Sequence, residues 1–329
     1  MPHVLRRIMD RVRPVRPRPV ILMYHRVSPP TIDPWGLSVH PRHFRQHVEV
    51  LREFRTPLAL SAFVARLQAG TLPDNAVAVT FDDGYVDNLR EARPHLAAAN
   101  VPATVFLAAG SIGQIREFWW DEVARGILGR RQALACAIPL NGSTYRLQFD
   151  VASNDELRES SWWRAWQEPR TGRQRTYLEF WRLLRDASAA QRDVAMEGFR
   201  RASNLPPPAP SDLPMTANDV AELTGDGLVQ IGAHTVTHPV LTLLEPEERR
   251  REIVEGKRRC EQLVKGPITG FAYPHGAENE ACRNAVRESG FAWACSTASA
   301  AVHHTCDVYA LPRVFVQDWD AHTFKAALT

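Results

Sequence analysis

The chain has 329 residues, enough for one large domain or for a domain carrying a sizeable insertion. Apolar residues make up 44% of it and charged residues 23%, so a buried core is available and wholesale disorder is excluded. The net charge of +3 is too slight to point to nucleic acid, and lysine appears only at Lys257, Lys265 and Lys325, the remaining positive charge being arginine.

Residues 1–19 read as a basic leader. Arg6, Arg7, Arg11, Arg13, Arg16 and Arg18 surround a single acid, Asp10, with no apolar stretch of the secretory kind. No apolar run approaches the ~18 residues needed to cross a bilayer. A cytoplasmic protein is expected, with at most a weak contact between the basic arm and an anionic membrane surface. Five widely spaced cysteines (Cys136, Cys260, Cys282, Cys295 and Cys306) contain no CxxC pair, so neither a disulfide framework nor a thiolate zinc site is indicated.

From residue 20 onward, short apolar runs alternate with helical periodicity. Residues 20–114 carry expected strands at 20–24, 76–81 and 103–106 and helices at 41–54 and 85–99. Between 115 and 205 the alternation breaks. This stretch holds six of the nine tryptophans and helix-compatible segments at 173–185 and 191–201, and reads as a helical insertion. Arg170, Arg173 and Arg175 in it read most simply as a solvated face, though an anionic sugar could use them. The proline tract in 206–215 is a stiff linker. Residues 216–329 resume the alternation, with strands at 228–233, 268–273, 291–295 and 314–316 and helices at 216–223, 246–264 and 277–288. The pattern predicts an α/β fold, a (β/α)7-type distorted barrel with a helical, Trp-rich insertion.

Chemistry-bearing residues fall just past the expected strand ends. Asp82 and Asp83 follow the run 76–81 and precede Gly84. Adjacent buried acids repel and resist desolvation, so a cation or a catalytic task would stabilise them. Equally, they could cap the next helix. His234 and His238 are four apart, which lets two imidazoles converge on one ion. With a carboxylate from another strand end they would form a two-histidine, one-carboxylate set with open positions. His25 ends the first strand and suits proton transfer, or a structural place on the rim. Pro274-His275-Gly276 encodes a turn whose N–H could face a cleft. In an α/β barrel the carboxyl rim of the strands is where active sites are built.

With these residues in hand, the chain resembles the polysaccharide deacetylase family, the carbohydrate esterases sharing the NodB homology domain. The resemblance is carried by Thr80-Phe81-Asp82-Asp83-Gly84, then His234-Thr235-Val236-Thr237-His238, then Phe271-Ala272-Tyr273-Pro274-His275-Gly276. It implies a divalent metal, zinc, on Asp83, His234 and His238, with Asp82 as general base and the His275 N–H on the oxyanion. The opening Met23-Tyr24-His25-Arg26-Val27 resembles the circularly permuted branch, which makes His25 the general acid. Ala272 stands where the family's base-steadying arginine is usual. Arg313 is the nearest substitute, although a last strand beginning at Val314 would set it at the opposite end of that strand.

The implied activity is removal of N-acetyl groups from an amino sugar, polysaccharide or glycoconjugate, with an N-acetylated sugar or glycan as partner and no nucleic acid. Two alternatives stand beside it: a hydrolase of another C–N bond or of an O-acetyl ester, and a catalytically silent carbohydrate-binding barrel. Trp119, Trp120, Tyr273 and Pro274 are the candidate substrate contacts. The insertion tryptophans serve either as a sugar-stacking wall or as the insertion's own core.

Overall fold

The computed structural model describes residues 17–140 and 142–328, so the greater part of the basic leader lies outside the described residues. In chain order the strands are β1 (Val20–Tyr24), β2 (Arg26–Val27), β3 (Ser38–Val39), β4 (Thr56–Pro57), β5 (Ala76–Phe81), β6 (Ala103–Leu107), β7 (Leu134–Leu140), β8 (Ser143–Phe149), β9 (Val229–Ala233), β10 (Gly270–Ala272), β11 (Trp293–Cys295) and β12 (Val314–Phe315). The α-helices are α1 (Pro41–Phe54), α2 (Leu60–Gln68), α3 (Arg93–Ala99), α4 (Trp119–Ile127), α5 (Asn154–Trp162), α6 (Gly172–Asp186), α7 (Ala189–Ser203), α8 (Ala217–Thr224), α9 (Pro246–Val264), α10 (Glu280–Glu288) and α11 (Ala321–Ala327).

Every residue of β1, β5 and β6 is buried, the pattern of parallel strands covered on both faces. These strands sit in one all-parallel sheet of order β11-β10-β9-β6-β5-β1-β12, with β4 pairing the start of β5. The sheet curls into a half-barrel flanked by helices. An isolated parallel bridge joins Cys295 of β11 to Leu311, three residues before β12. Val20, Leu22 and Tyr24 pack outward with Phe44 and Leu51 of α1, while Ile21 packs with Ala78, Phe106 and Ala272. Leu60, Phe63, Val64 and Leu67 of α2 join that second cluster, one helical face sealing the interior.

The 115–205 stretch contains α4 to α7, as its composition suggested, and also an antiparallel hairpin, β7–β8. Ile138, Leu140, Leu147 and Phe149 of that hairpin share a core with Tyr177, Phe180 and Phe199. Arg173 departs from the expected solvated face. It is buried, stacks over Phe149 at 4.2 Å and donates to the carbonyls of Ile127 (2.7 Å), Arg130 (2.8 Å) and Asp150. The expected helix 85–99 is also divided. Residues 88–92 are π-helical and α3 begins only at Arg93, because Asp87 and Asn88 turn inward to bind the Val27 N–H and the His25 carbonyl.

Candidate active site

The chemistry gathers at the carboxyl ends of the parallel strands. His25 follows β1, Asp82 and Asp83 follow β5, His234 follows β9, and Tyr273 and His275 follow β10. All of them line one cavity of about 380 Å³. Seven non-glycine residues among those described have positive φ. Asn100, Asn204 and Lys265 simply close helices, whereas Asp83 (71°), Thr235 (66°), His238 (55°) and His275 (57°) cluster at this rim. Such backbone costs about 1–3 kcal/mol per residue and persists where the site over-determines it.

The two adjacent acids separate, as neighbours at a strand end must. Asp82 turns toward Arg313, which donates to both of its carboxylate oxygens at 2.7 Å. Arg313 also donates from Nη1 to Thr80 Oγ1 (3.2 Å) and from Nε to the Ser296 carbonyl (2.9 Å). Its position just before β12 does not remove it from the site. Val314 pairs with Leu22, and the fully buried side chain spans the remaining distance up to Asp82. Burial alone would raise the Asp82 carboxyl; Arg313, and then His234, more than offset this and hold it at about 2. Asp82 is therefore ionised throughout the neutral range.

Asp83 points to the other two ligand candidates. Its Oδ1 faces His238 Nε2 at 3.4 Å and His234 Nε2 at 3.7 Å, and it has no hydrogen-bond partner although buried. These separations are too long for good hydrogen bonds. The ligand atoms of all three residues lie within 4.8 Å of one another. His234 Nδ1 is 2.7 Å from the Ala272 carbonyl, which can only accept, so Nδ1 carries the proton and Nε2 presents a lone pair. Burial lowers both imidazoles, keeping them neutral as ligands require. Burial, and then Asp82, push the Asp83 carboxyl well up, a cost that a neighbouring cation would relieve. One carboxylate oxygen and two imidazole nitrogens suit a divalent metal such as zinc. The donor set fits.

His25 packs edge-on against Phe315 (5.7 Å), and burial brings it down to about 4. The His275 ring lies 4.5 Å from that of His238 and is lowered to about 3, first by burial and then by His234. Its turn depends on Gly276 (φ 65°), where a β-carbon would overlap the Thr297 side chain.

Of the expected substrate contacts, Trp120 and Tyr273 line the cavity, whereas Pro274 lies buried beneath the rim turn and Trp119 faces a neighbouring cavity. Consecutive helical residues point about 100° apart, and of the two indoles of α4 only that of Trp120 reaches this cavity, while both border the neighbouring one. The remaining lining includes Trp35, Trp166, Trp181, Arg185 and Phe315; the two insertion tryptophans among them were candidates for a sugar-stacking wall, whereas Trp35, Arg185 and Phe315 were not singled out from the sequence.

Trp120 rests against the His238 ring at 4.8 Å, and its own orientation is braced. Its Nε1 donates to Tyr85 Oη (2.8 Å), and Tyr85 Oη donates to Asp121 Oδ2 (2.7 Å). Arg26 covers the Tyr85 ring at 4.6 Å and binds Asp87 and Asp212. Tyr85→Phe removes an acceptor and a donor from this buried relay. It is expected to cost about 1–3 kcal/mol in urea unfolding, the penalty of leaving such groups unpaired. A change below a few tenths would show that the relay does not brace the site.

Fold and site together define an α/β half-barrel with an aspartate–histidine–histidine donor set beside a second, arginine-held aspartate. Residues 69–128 and 206–294 match the family model of polysaccharide deacetylase. YxkH of Bacillus subtilis (strain 168), which carries the same family description, is 29% identical over 143 residues, 42% of this chain. The chain spans half the length of that curated relative. Deacetylase PplD of Streptococcus pyogenes, solved with acetate, superposes with a TM-score of 0.60 at 16% identity, over 95% of this chain and 99% of that one. IcaB from Ammonifex degensii gives 0.58 at 19% identity, over 95% and 97%. At these identities the likeness is one of fold.

Proposed function

We propose that this protein is a metal-dependent hydrolase that removes N-acetyl groups from an amino sugar or glycan. The observation that carries the reading is the buried Asp83 Oδ1, unpartnered and facing two imidazole nitrogens, with a separately held carboxylate, Asp82, beside it. When bound at Asp83, His234 and His238, a divalent ion, zinc in this proposal, supplies Lewis-acid polarisation of the acetyl carbonyl and a lowered pKa for water. Asp82, ionised and oriented by Arg313, takes the proton of the attacking water. The main-chain N–H of His275 stabilises the developing oxyanion. His25 protonates the departing amine, the role its counterpart has in the permuted branch that the opening motif resembles. The proton gained by Asp82 and the proton given up by His25 balance, and a transfer from the first to the second restores both groups for the next turnover.

The test is metal analysis of the purified protein together with acetate release from a panel of N- and O-acetylated sugars, with and without chelator. About one divalent ion per chain is expected, with N-acetyl activity that chelation abolishes and added metal restores. O-acetyl or other C–N specificity would move the activity to that class. Bound metal and sugar without acetate release from any compound would favour a silent binding barrel and overturn the hydrolase.

A further inference from the structure

We infer that a second cavity beside the candidate active site receives an anionic group of the substrate, a carboxylate or a phosphate, on the guanidinium of Arg192. This deepens the deacetylase reading above and rests on it. The cavity has a volume of about 460 Å³ and adjoins the first at Trp120 and His238, which line both. A substrate seated over the metal-ligand candidates therefore has a continuation across the rim at His238. The two linings differ in kind. Indoles and imidazoles dominate the first, whereas the second carries Arg116, Arg192 and Arg200 beside Glu117 and Asp193.

Most of those charges are neutralised within the chain. Arg200 binds both oxygens of Glu122 at 2.7–2.9 Å, and Glu117 is held by Nε and Nη2 of Arg125. Arg116 and Glu197 form a half-exposed pair at 3.6 Å. Arg192 is different. It lies in the first turn of α7 and is only 4% exposed, and its Nη2 donates to the Thr237 carbonyl at 2.7 Å. Its Nη1 is buried and has no hydrogen-bond partner among the described residues. The guanidinium lies over the Trp119 ring at 5.6 Å, and the Nε1 of Trp119, on the same cavity, is likewise buried and unpartnered. The negative charges that act on Arg192 are Asp193 and then Glu252. Asp193 is exposed, and both oxygens of Glu252 are taken by Val236 and Thr237.

A buried guanidinium with a spare donor and no close counter-charge is costly, and its planar fork matches a carboxylate or a phosphate. The anion that completes it has to come from outside the chain. The adjoining active site indicates the source: a substituent of the acetylated ring, or the ring next to it. Because Nη2 of the same guanidinium holds the Thr237 carbonyl, one residue before His238, an anion bound there is placed in register with the metal-ligand candidates.

The experiment uses two matched pairs of probes, the members of each differing in charge. N-acetylglucosamine β-1,4-linked to glucuronate is set against the same disaccharide with glucose, and N-acetylglucosamine 1-phosphate against the methyl glycoside. With metal-loaded protein, at least one anionic probe is expected to have a kcat/KM about tenfold or more above that of its neutral counterpart, the scale of one charge-assisted hydrogen bond. The pair that responds identifies the group as carboxylate or phosphate. Arg192→Met should bring the ratio to about one, and Asp193→Asn, which removes a competing charge, should raise it about threefold. The ratio within one preparation is the readout, since Arg192 also braces the His238 turn. Ratios below about threefold in both pairs, or a ratio that survives Arg192→Met, overturn the proposal and leave Arg192 as a brace of Thr237. If Arg192→Met does not fold, Asp193→Asn decides, and a ratio that does not rise overturns the assignment. Calorimetric titration of the same probes into chelated protein, where no anion can sit on the metal, reads binding apart from chemistry. Anionic preference there without acetate release from any probe supports the subsite, and only the deacetylase reading then fails. Acetate release with no anionic preference in either measurement overturns the subsite alone.

Discussion

Arg313→Met is expected to destabilise the protein by about 3–5 kcal/mol, the range for removing one partner of a buried ion pair. The guanidinium is fully buried and spends its donors on three groups: both oxygens of Asp82, the Thr80 hydroxyl and the Ser296 carbonyl. Methionine fills similar volume but leaves the Asp82 carboxylate without its counter-charge. Lysine would keep a charge yet cannot reproduce the planar two-pronged contact, so Arg313→Lys should also lose stability. The double variant Asp82→Asn/Arg313→Met removes the stranded charge and should recover part of the loss, a coupling that urea unfolding of the four proteins measures directly. If Arg313→Met alone costs less than about 1 kcal/mol, the pair behaves like a surface salt bridge and the argument fails.

That same pair marks the boundary of what the sequence made legible. Strands β1 and β5 and helices α1 and α9 fall where periodicity and end signals put them. Pro41 opens α1 behind His40, and Glu247 and Glu248 fill the first turn of α9. The rim residues were equally readable, because a parallel barrel delivers whatever follows each strand to one mouth. The reach of Arg313 was not, since it depends on the register of β12 against β1 and on side-chain length.

Two other elements had signals that the barrel pattern obscured. Leu60, Phe63, Val64 and Leu67 have the spacing of one helical face, but the purpose of that face appears only when α2 plugs the barrel interior. The β7–β8 hairpin was announced by an Asn-Gly pair at 141–142 between alternating apolar residues. The aromatic lining of the first cavity is a different case. Trp35 lies some 130 residues before Trp166 in the chain, and nothing in local spacing joins them. Their meeting follows from the bond between the Ala165 N–H and the Pro34 carbonyl, a tertiary contact.

The sharpest division of labour lies between the adjacent acids. Asp82→Asn is expected to lower kcat by about 10²–10⁴-fold, the usual contribution of a positioned proton acceptor. Metal content should stay near that of the unmodified protein, because the carboxamide is close in shape and the proposed ligand set of Asp83, His234 and His238 is untouched. Asp83→Asn and His234→Ala should do the opposite in order: metal goes first and activity follows. In His234→Ala the Nε2 lone pair that the Ala272 carbonyl orients disappears altogether. Metal analysis and acetate release on the same preparations separate the two roles. Near-normal turnover in Asp82→Asn on a substrate the protein demonstrably deacetylates would remove Asp82 from the proton transfer. Its bond to Arg313 would then be structural, and the base would have to be sought among the histidines of the same rim.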